Sequence, residues 1–273
     1  MKAIKIIALI TFFSLISCEK VIDVNLETGK PRLVVEASIN WYAETNGNEQ
    51  RIKLSTTTDY FSNIIPAVTN ATVFITNSNN QIFTFLEDGT PGTYKCYDFI
   101  PVLEENYTLT VVYQGETYTS TEKLLNTPAI KRVEQVNEGG ILGNETEVKF
   151  FFDDIENETN HYFLKINDPY KVIPEYGVLE DRFFENNEMF GLYFSEDIKT
   201  GDTLKFTLNG VTLNYYNYMN ILLAQTGTTS AGPFSTPTST VRGNLVNQTN
   251  FNNFALGYFR LSKTEVNEYI IVE

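Results

Sequence analysis

The sequence predicts a mainly β protein, namely an immunoglobulin- or transthyretin-like β-sandwich followed by a second β-rich domain with one short helix. Apolar and polar residues alternate over most of the chain after Pro31, as they do in half-buried strands. These runs are short, and turn signals such as Asp88-Gly89 and Pro91-Gly92 separate them. With 42% hydrophobic and 14% aromatic residues among 273, the chain can also fill sizeable cores.

The chain begins with the features of a bacterial lipoprotein signal peptide. Two lysines precede an apolar stretch, residues 6–16, that is too short to span a bilayer. The small Ser17 and then Cys18 end this stretch in a way that resembles a lipobox, which implies cleavage before Cys18 and lipidation of that cysteine. An ordinary signal peptide with a chance cysteine is the alternative. We expect residues 1–17 to be removed and residues 18–30 to form a lipid-anchored tether.

Residues 31–126 are predicted to form the N-terminal β-sandwich. Two runs, 72–76 and 81–86, flank a polar turn and predict a hairpin. Tyr107 opens the most regular alternation, and a tyrosine at the start of a strand resembles the tyrosine corner of immunoglobulin-like sandwiches. The predicted strands of this domain are residues 33–39, 52–56, 72–76, 81–86, 93–97, 107–113 and 117–121.

Residues 127–273 are predicted to form the second domain, which begins near Thr127-Pro128. Asn209-Gly210 predicts a hairpin turn, with residues 211–213 returning. A helix is predicted over residues 215–225, because aromatic residues, Met and Leu recur there at helical spacing; we interpret this stripe as core packing. The predicted strands of this domain are residues 148–152, 162–166, 189–194, 203–208, 255–261 and 268–272.

The composition argues against several classes of function. A net charge of −14 disfavours nucleic-acid binding and electrostatic adsorption to anionic lipid. His161 is the only histidine, so a zinc site with several histidines is ruled out. Cys96 lacks a disulfide partner if Cys18 is lipidated, and we interpret it as a buried core residue. Gly-x-Ser-x-Gly and glycine-rich phosphate-binding motifs are missing, so we expect no enzyme activity and no cofactor.

Two further possibilities stay open in the sequence. Acidic residues in one predicted loop offer the oxygen ligands that Ca²⁺ prefers, but their spacing does not match an EF-hand, and we expect a solvated loop rather than a metal site. These residues are Asp153, Asp154, Glu156 and Glu158. Thr203, in Asp202-Thr203-Leu204, resembles an O-glycosylation acceptor of exported proteins, or it simply begins a strand. A hydrolase would require such carboxylates, or His161, in a cleft.

Several motifs, in order along the mature chain, together resemble an uncharacterised family of Bacteroidota outer-membrane lipoproteins, domain of unknown function 4249. They are Cys18-Glu19-Lys20-Val21-Ile22-Asp23, Leu33-Val34-Val35-Glu36-Ala37, Tyr107-Thr108-Leu109-Thr110-Val111 with Gly115, Gly243-Asn244-Leu245 and Leu256-Gly257-Tyr258-Phe259. Members of that family are typically encoded beside TonB-dependent outer-membrane receptors. The resemblance therefore implies a lipid-anchored outer-membrane protein that is an accessory to such a receptor. It supplies no catalytic residues.

We therefore expect a non-enzymatic accessory or binding subunit of a TonB-dependent outer-membrane β-barrel, anchored by its lipid on a membrane face that stays undecided. The alternative is an envelope-assembly or adhesion subunit without a small-molecule ligand, which would show a flat interface and no concave pocket. The expected contact residues are Trp41, Tyr42 and Phe234. They lie in two long loops, residues 41–50 and 227–242, whose side chains can bind without charge.

Overall fold

The computed structural model describes residues 29–140, 142–155, 158–183, 187–226 and 240–273. The predicted signal peptide, Cys18, Glu156 and Phe234 lie outside the described residues. Residues 31–58 and the described part of 63–273 belong to one compact unit. In the other unit, residues 59–62 form a turn in which the Ser62 N–H donates to the Asp59 carbonyl at 2.9 Å.

Strands dominate the described residues, which confirms the prediction of a mainly β fold with one short helix. No helix in the described ranges is long and apolar enough to cross a membrane. The strands are β1 (Leu33–Tyr42), β2 (Gln50–Thr56), β3 (Thr72–Asn77), β4 (Ile82–Glu87), β5 (Thr93–Cys96), β6 (Asn106–Tyr113), β7 (Glu116–Leu125), β8 (Ile130–Gly139), β9 (Glu145–Asp153), β10 (His161–Asn167), β11 (Glu175–Glu180), β12 (Glu188–Ser195), β13 (Thr203–Val211), β14 (Val246–Asn247) and β15 (Leu256–Ile270), and the helix is α1 (Leu213–Gln225).

The first core lies inside a ring of eight paired strands. Neighbours follow the order β15-β1-β2-β5-β4-β3-β6-β7, and β7 pairs again with β15, where Leu124 lies opposite Leu261. Alternate apolar side chains from each strand, such as Val35, Ile75 and Leu109, are fully buried in this core. The ring leaves no open edge in this part of the sheet, and exposed edges are where strands of other chains add. The predicted hairpin of β3 and β4 is confirmed.

The second core lies between two sheets. A three-stranded sheet in the order β12-β9-β8 covers one side, and β10 and β13 of the long sheet cover the other. Phe150 of β9 packs against Phe206 of β13 with ring centroids 4.5 Å apart. The two strands that flank the acidic loop, β9 and β10, therefore belong to opposite sheets, as in a sandwich.

The predicted hairpin at Asn209-Gly210 is wrong, because both residues continue β13. Asn209 and Gly210 pair with Phe163 and Tyr162 of β10, and the chain then enters α1. A Cβ atom on Gly210 would collide with the carbonyl oxygen of Asn126. Glycine is therefore needed at this position for a close backbone approach rather than for a turn.

The two predicted closing strands are one continuous strand, β15. Residues 256–264 pair in parallel with β1, and residues 264–270 pair antiparallel with β13. Three small polar side chains, Ser262, Thr264 and Asn209, are buried at the junction between the two pairings. One strand therefore contributes to both cores, and independent folding of residues 127–273 stays a prediction.

The strands β1, β15, β13, β10 and β11 form one continuous sheet with two different faces. Alternate side chains enter the two cores, and the others form the opposite face, which we name the front face. The helix α1 packs on this face through Tyr215, Met219 and Leu223, which contact Phe163 and other apolar residues of the sheet. The helix begins two residues before the predicted start and ends at Gln225 as predicted.

Candidate functional site

A cavity of about 1060 Å³ lies on the front face and is lined by both α1 and the sheet. Its floor comes from β1, β15, β13 and β10, which contribute Ser38, Arg260, Thr207 and Phe163. A cavity of this size is typical of sites that enclose a small organic ligand. The alternation of side chains along each strand produces the site. One residue enters a core, and the next lies on the opposite side of the sheet and faces the cavity.

Aromatic rings form one wall of the cavity. Tyr258 of β15 contacts two tyrosines of α1, with ring centroids 5.0 Å from Tyr215 and 4.8 Å from Tyr218. Phe163 stacks on Tyr176 of β11 at 5.7 Å. Burial raises the pKa of Tyr218 to about 12, so its hydroxyl stays neutral at physiological pH. The wall therefore offers flat apolar surface with a few neutral polar ends.

Arg260 is a buried cation in the lining of this cavity. Its side chain is only 7% exposed, and its guanidinium carbon lies 5.6 Å from the Phe163 ring centroid and 5.5 Å from that of Tyr215. Nη1 donates to Asn209 Oδ1 at 3.5 Å and to Ser262 Oγ at 3.3 Å, both long for hydrogen bonds. Nε is buried and has no hydrogen-bond partner in the described structure.

The polar groups beside Arg260 are bonded among themselves. Thr264 Oγ1 donates to Asn209 Oδ1 at 2.9 Å, and Ser262 Oγ donates to the Gly210 carbonyl at 2.7 Å. Of the two acceptors beside the guanidinium, Asn209 Oδ1 therefore already accepts from Thr264, whereas Ser262 Oγ gives its own hydrogen to Gly210. None of these neighbours is a carboxylate, so the described residues around Arg260 leave its charge uncompensated.

Charged residues at the edge of the cavity are mostly paired. Lys171 Nζ lies 3.0 Å from Glu175 Oε2, and Lys205 Nζ lies 3.0 Å from Glu268 Oε1. Lys165 also lines the cavity, on the β10 side of the floor, and forms no salt bridge with a described residue. Three further carboxylates line the cavity: Glu36 lies 3.4 Å from Lys53 Nζ, Glu265 lies 3.3 Å from Lys263 Nζ, and Glu44 forms no salt bridge with a described residue. The lining therefore holds four carboxylates and four cations, of which Lys165 and Arg260 on the floor have no carboxylate partner in the described ranges.

The predicted contact residues Trp41 and Tyr42 lie in different surroundings, although they are neighbours in the sequence. Tyr42 lines the cavity and is 45% exposed. Trp41 packs against the first core, and its Nε1–H donates to the Thr45 carbonyl at 2.9 Å. Gly47 leaves the space for the indole, because a Cβ atom there would meet Trp41 and Pro101 at 2.7 Å. Trp41 therefore shapes the loop that follows β1, and Phe234 lies outside the described residues.

Other residues considered for chemistry lie away from the cavity lining. His161 is buried, its ring lies against that of Tyr216 with centroids 4.9 Å apart and a tilt of 58°, and burial lowers the pKa of its imidazole. Cys96 is buried in the first core as predicted, and burial raises the pKa of its thiol to about 12. Asp153 forms an exposed salt bridge with Lys131. Among the residues that the structure describes, no cluster of three or more His, Cys, Asp or Glu side chains could hold a metal ion.

Arg260, the most unusual residue of the site, was not predicted from the sequence. A lone arginine in a strand ordinarily faces water. One signal was available: Arg260 shares its strand parity with Tyr258, so both residues face away from the core that takes Phe259 and Leu261. An aromatic residue on that face indicates a second covered surface, which α1 provides.

Comparison with solved structures gives weak likenesses. A cytokine receptor complex is 7% identical, with 65% of this chain and 82% of that chain covered, at a TM-score of 0.25. A DUF4785 family protein from Legionella pneumophila is 8% identical, with 66% and 51% covered, at 0.26. A two-domain fibronectin type-III segment from chicken tenascin is 8% identical, with 66% and 90% covered, at 0.21. TM-scores this low support no inference about this chain.

A family comparison is more informative. None of the curated proteins matches the chain. The model of the family described as Domain of unknown function (DUF4249), however, matches residues 19–267. That range spans the motifs between Leu33 and Phe259 on which the resemblance in the sequence rests. Because the match covers most of its length, the chain belongs to the DUF4249 family of domains of unknown function.

Proposed function

We propose that this chain is a lipid-anchored, non-enzymatic binding subunit at the outer membrane, and that it works beside a TonB-dependent β-barrel receptor. The cavity on the front face is the observation that carries the binding role. The lipobox-like end at Cys18 supports the anchor. The resemblance to lipoproteins encoded beside such receptors supports the partner. Confinement of both proteins to one membrane would raise the effective concentration of each for the other.

The cavity is suited to binding because its walls are fixed before a ligand enters. The floor is a sheet whose other side fills two cores, so its strands cannot shift without disturbing both. The helix is fixed at its start by Thr212, whose side chain accepts a hydrogen bond from the Tyr215 N–H at 3.3 Å. A preformed apolar site loses little conformational freedom when it takes a ligand.

The ionisable groups around the cavity favour binding over proton-transfer chemistry. Arg260 carries a permanent charge and cannot serve as a general base. Glu175 Oε2 is paired with Lys171 Nζ at 3.0 Å. These groups can orient a ligand by charge, whereas general acid–base catalysis needs a group that exchanges protons near the working pH.

Isothermal titration with neutral 2-naphthamide would test the binding role. The full chain is extracted from its own membrane in a mild detergent, and the same detergent provides the blank. Thr207→Trp places an indole in the cavity from the floor of β13, and Thr84→Trp adds one on the exposed side of β4 as the control. We expect saturable binding to the wild-type chain and to T84W, and at least about tenfold weaker binding to T207W. Equal binding to all three would contradict the proposal.

A pull-down of the tagged chain from its own outer membrane in mild detergent would test the partner. We expect a TonB-dependent barrel in stoichiometric amount by mass spectrometry. The Cys18→Ser variant, which cannot be lipidated, should recover much less of the barrel. Recovery of envelope-assembly machinery instead would favour the structural alternative. Recovery of nothing, under conditions that preserve other barrel complexes, would argue against a stable partnership.

A further inference from the structure

We infer that the cavity takes an anionic ligand, a carboxylate attached to a flat apolar body, with the carboxylate at the Arg260 guanidinium and the body against the tyrosines of α1 and β15. This inference rests on the proposed binding role and specifies the class of ligand. Four observations support it: the burial of Arg260, its unmet hydrogen-bonding capacity, the aromatic wall beside it and a second cation on the same floor.

Burial of an unpaired charge requires an explanation. Charged side chains are almost never this deeply buried without a partner, because the loss of hydration is costly. Arg260 is 7% exposed, and no carboxylate of a described residue lies within salt-bridge distance of its nitrogens. It also lines the cavity, so a ligand in the cavity can reach it. A bound anion would supply the compensating charge that the surrounding residues do not.

Hydrogen bonding leads to the same conclusion. A guanidinium has five N–H donors, and the described residues accept two hydrogen bonds from it, both from Nη1. One of these two acceptors, Asn209 Oδ1, also accepts a hydrogen bond from Thr264 Oγ1 at the shorter distance of 2.9 Å. A planar carboxylate matches the fork of a guanidinium and accepts two parallel hydrogen bonds from it. This geometric match favours a carboxylate over a spherical anion.

The contacts that Arg260 already makes are weaker than an ion pair with an anion would be. The rings of Phe163 and Tyr215 attract the guanidinium, but their centroids lie close to the outer limit of about 6 Å for such contacts. The same rings, with Tyr218 and Tyr258, form the flat wall for the apolar part of a ligand. Lys165, unpaired among the described residues, adds a second positive charge to the floor.

Matched titrations with 2-naphthoate and 2-naphthamide would test the inference, because these probes share one ring system and differ in charge. The full chain in detergent is used again. We expect the wild-type chain to bind the carboxylate about 10- to 100-fold more tightly than the amide, the ratio typical of a charge-assisted bidentate contact. Arg260→Gln should weaken the binding of the carboxylate much more than that of the amide, so that the ratio falls toward one. Arg182→Gln, which removes an exposed arginine outside the cavity lining, should preserve the ratio.

The outcomes separate this inference from the proposed function. Saturable binding of both probes with equal affinity to the wild-type chain would overturn the anionic class and leave the binding role intact. A preference for the carboxylate that survives Arg260→Gln would also overturn it. Binding of neither probe to the wild-type chain would overturn both proposals. If Arg260→Gln fails to fold, the ratio in the wild-type chain is compared with that in Arg260→Lys. Lysine keeps the charge but loses the forked geometry of the guanidinium, so this variant should retain only part of the preference for the carboxylate.

Discussion

Tyr107 shows how one hydroxyl group can fix a connection between strands. The ring is fully buried in the first core, whereas the hydroxyl donates to the Ile100 carbonyl at 2.8 Å and accepts from the Val102 N–H at 2.9 Å. These bonds reach back to the backbone a few residues upstream, as in a tyrosine corner. They satisfy backbone groups of the segment between β5 and β6 that would otherwise lack partners.

We predict that Tyr107→Phe lowers the free energy of unfolding by about 1–3 kcal/mol, because it removes two partly buried hydrogen bonds, each worth about 0.5–1.5 kcal/mol, while the ring packing is kept. Urea denaturation followed by circular dichroism would measure the change. Tyr113→Phe is the matched control, because the Tyr113 hydroxyl accepts a bond from the exposed Gln114 side chain. A loss of equal size in both variants would contradict the prediction.

Glu122 on β7 makes the stability of the fold depend on pH. Its carboxylate accepts from Asn244 Nδ2 at 2.8 Å and from the Tyr258 hydroxyl at 3.3 Å, yet burial raises the pKa of this carboxyl above its ordinary value. The folded chain therefore holds this proton at a pH where the unfolded chain has released it. The stability contributed by the protonated form is present below the unfolded pKa and is lost as the pH rises through the folded pKa.

We predict that Glu122→Gln raises the urea midpoint relative to the wild-type chain at pH 8, and that the difference shrinks as the pH falls to 4. Glutamine keeps the acceptor for Asn244 and removes the buried negative charge. Urea midpoints at pH 4, 6 and 8 would measure the effect. Glu104→Gln, which removes an exposed carboxylate paired with Lys123, is the control. A gap that is independent of pH would disprove the explanation.

At the scale of elements, the start of α1 determines one wall of the cavity. Thr212 has extended backbone angles and caps the helix, with its side chain accepting from the Tyr215 N–H. No acidic residue occupies the first turn, so this cap is the main polar contact for the exposed N–H groups there. The helix is 13 residues long and depends on packing and capping for its stability.

We predict that Thr212→Ala lowers the free energy of unfolding by about 1 kcal/mol and weakens the binding of 2-naphthamide, because the first turn of α1 frays. Thr212→Ser keeps the hydroxyl and should restore both properties. Urea denaturation and titration calorimetry on the three chains would measure them. If serine and alanine give the same loss, the lost methyl group rather than the cap is responsible.

Elements with a regular local pattern could be predicted from the sequence. The alternation in β6 and β7 and the helical stripe of α1 depend on neighbours in the sequence, and each was predicted correctly. Gly210 and Arg260 depend on distant segments instead. The Asn126 backbone passes over Gly210, and α1 covers the face that carries Arg260. The same limit applies to the site: Tyr42, which lines the cavity, was among the expected contact residues, but the buried cation on the floor was not.

At the scale of the whole molecule, β15 couples the two cores. Phe259 and Leu261 fill the first core, and the later residues of the same strand pair with β13, whose side chains fill the second. A strand that unfolds from one core therefore loses its partner in the other. Such shared structure favours a single cooperative transition.

We predict that a substitution that destabilises the second core also destabilises the first. Leu208→Ala removes a fully buried side chain from the second core and should lower the free energy of unfolding by about 2–5 kcal/mol. Trp41, the only tryptophan, packs against the first core, so its fluorescence reports that core. The urea midpoint from Trp41 fluorescence should fall in L208A and stay constant in the exposed control Leu86→Ala. An unchanged midpoint in L208A would show that the cores unfold separately.

The parallel pairing of β1 with β15 also determines the order in which the molecule can be completed. β1 is synthesised before the other described strands, but Val34 pairs with Leu256 and Tyr42 with Thr264, which are synthesised after β8 to β13. Until then the ring around the first core has a gap between β7 and β1. Pairing between such distant segments is slow. β1, the first of the described strands to be made, therefore gains its pairing with β15 only after β8 to β13 have been synthesised.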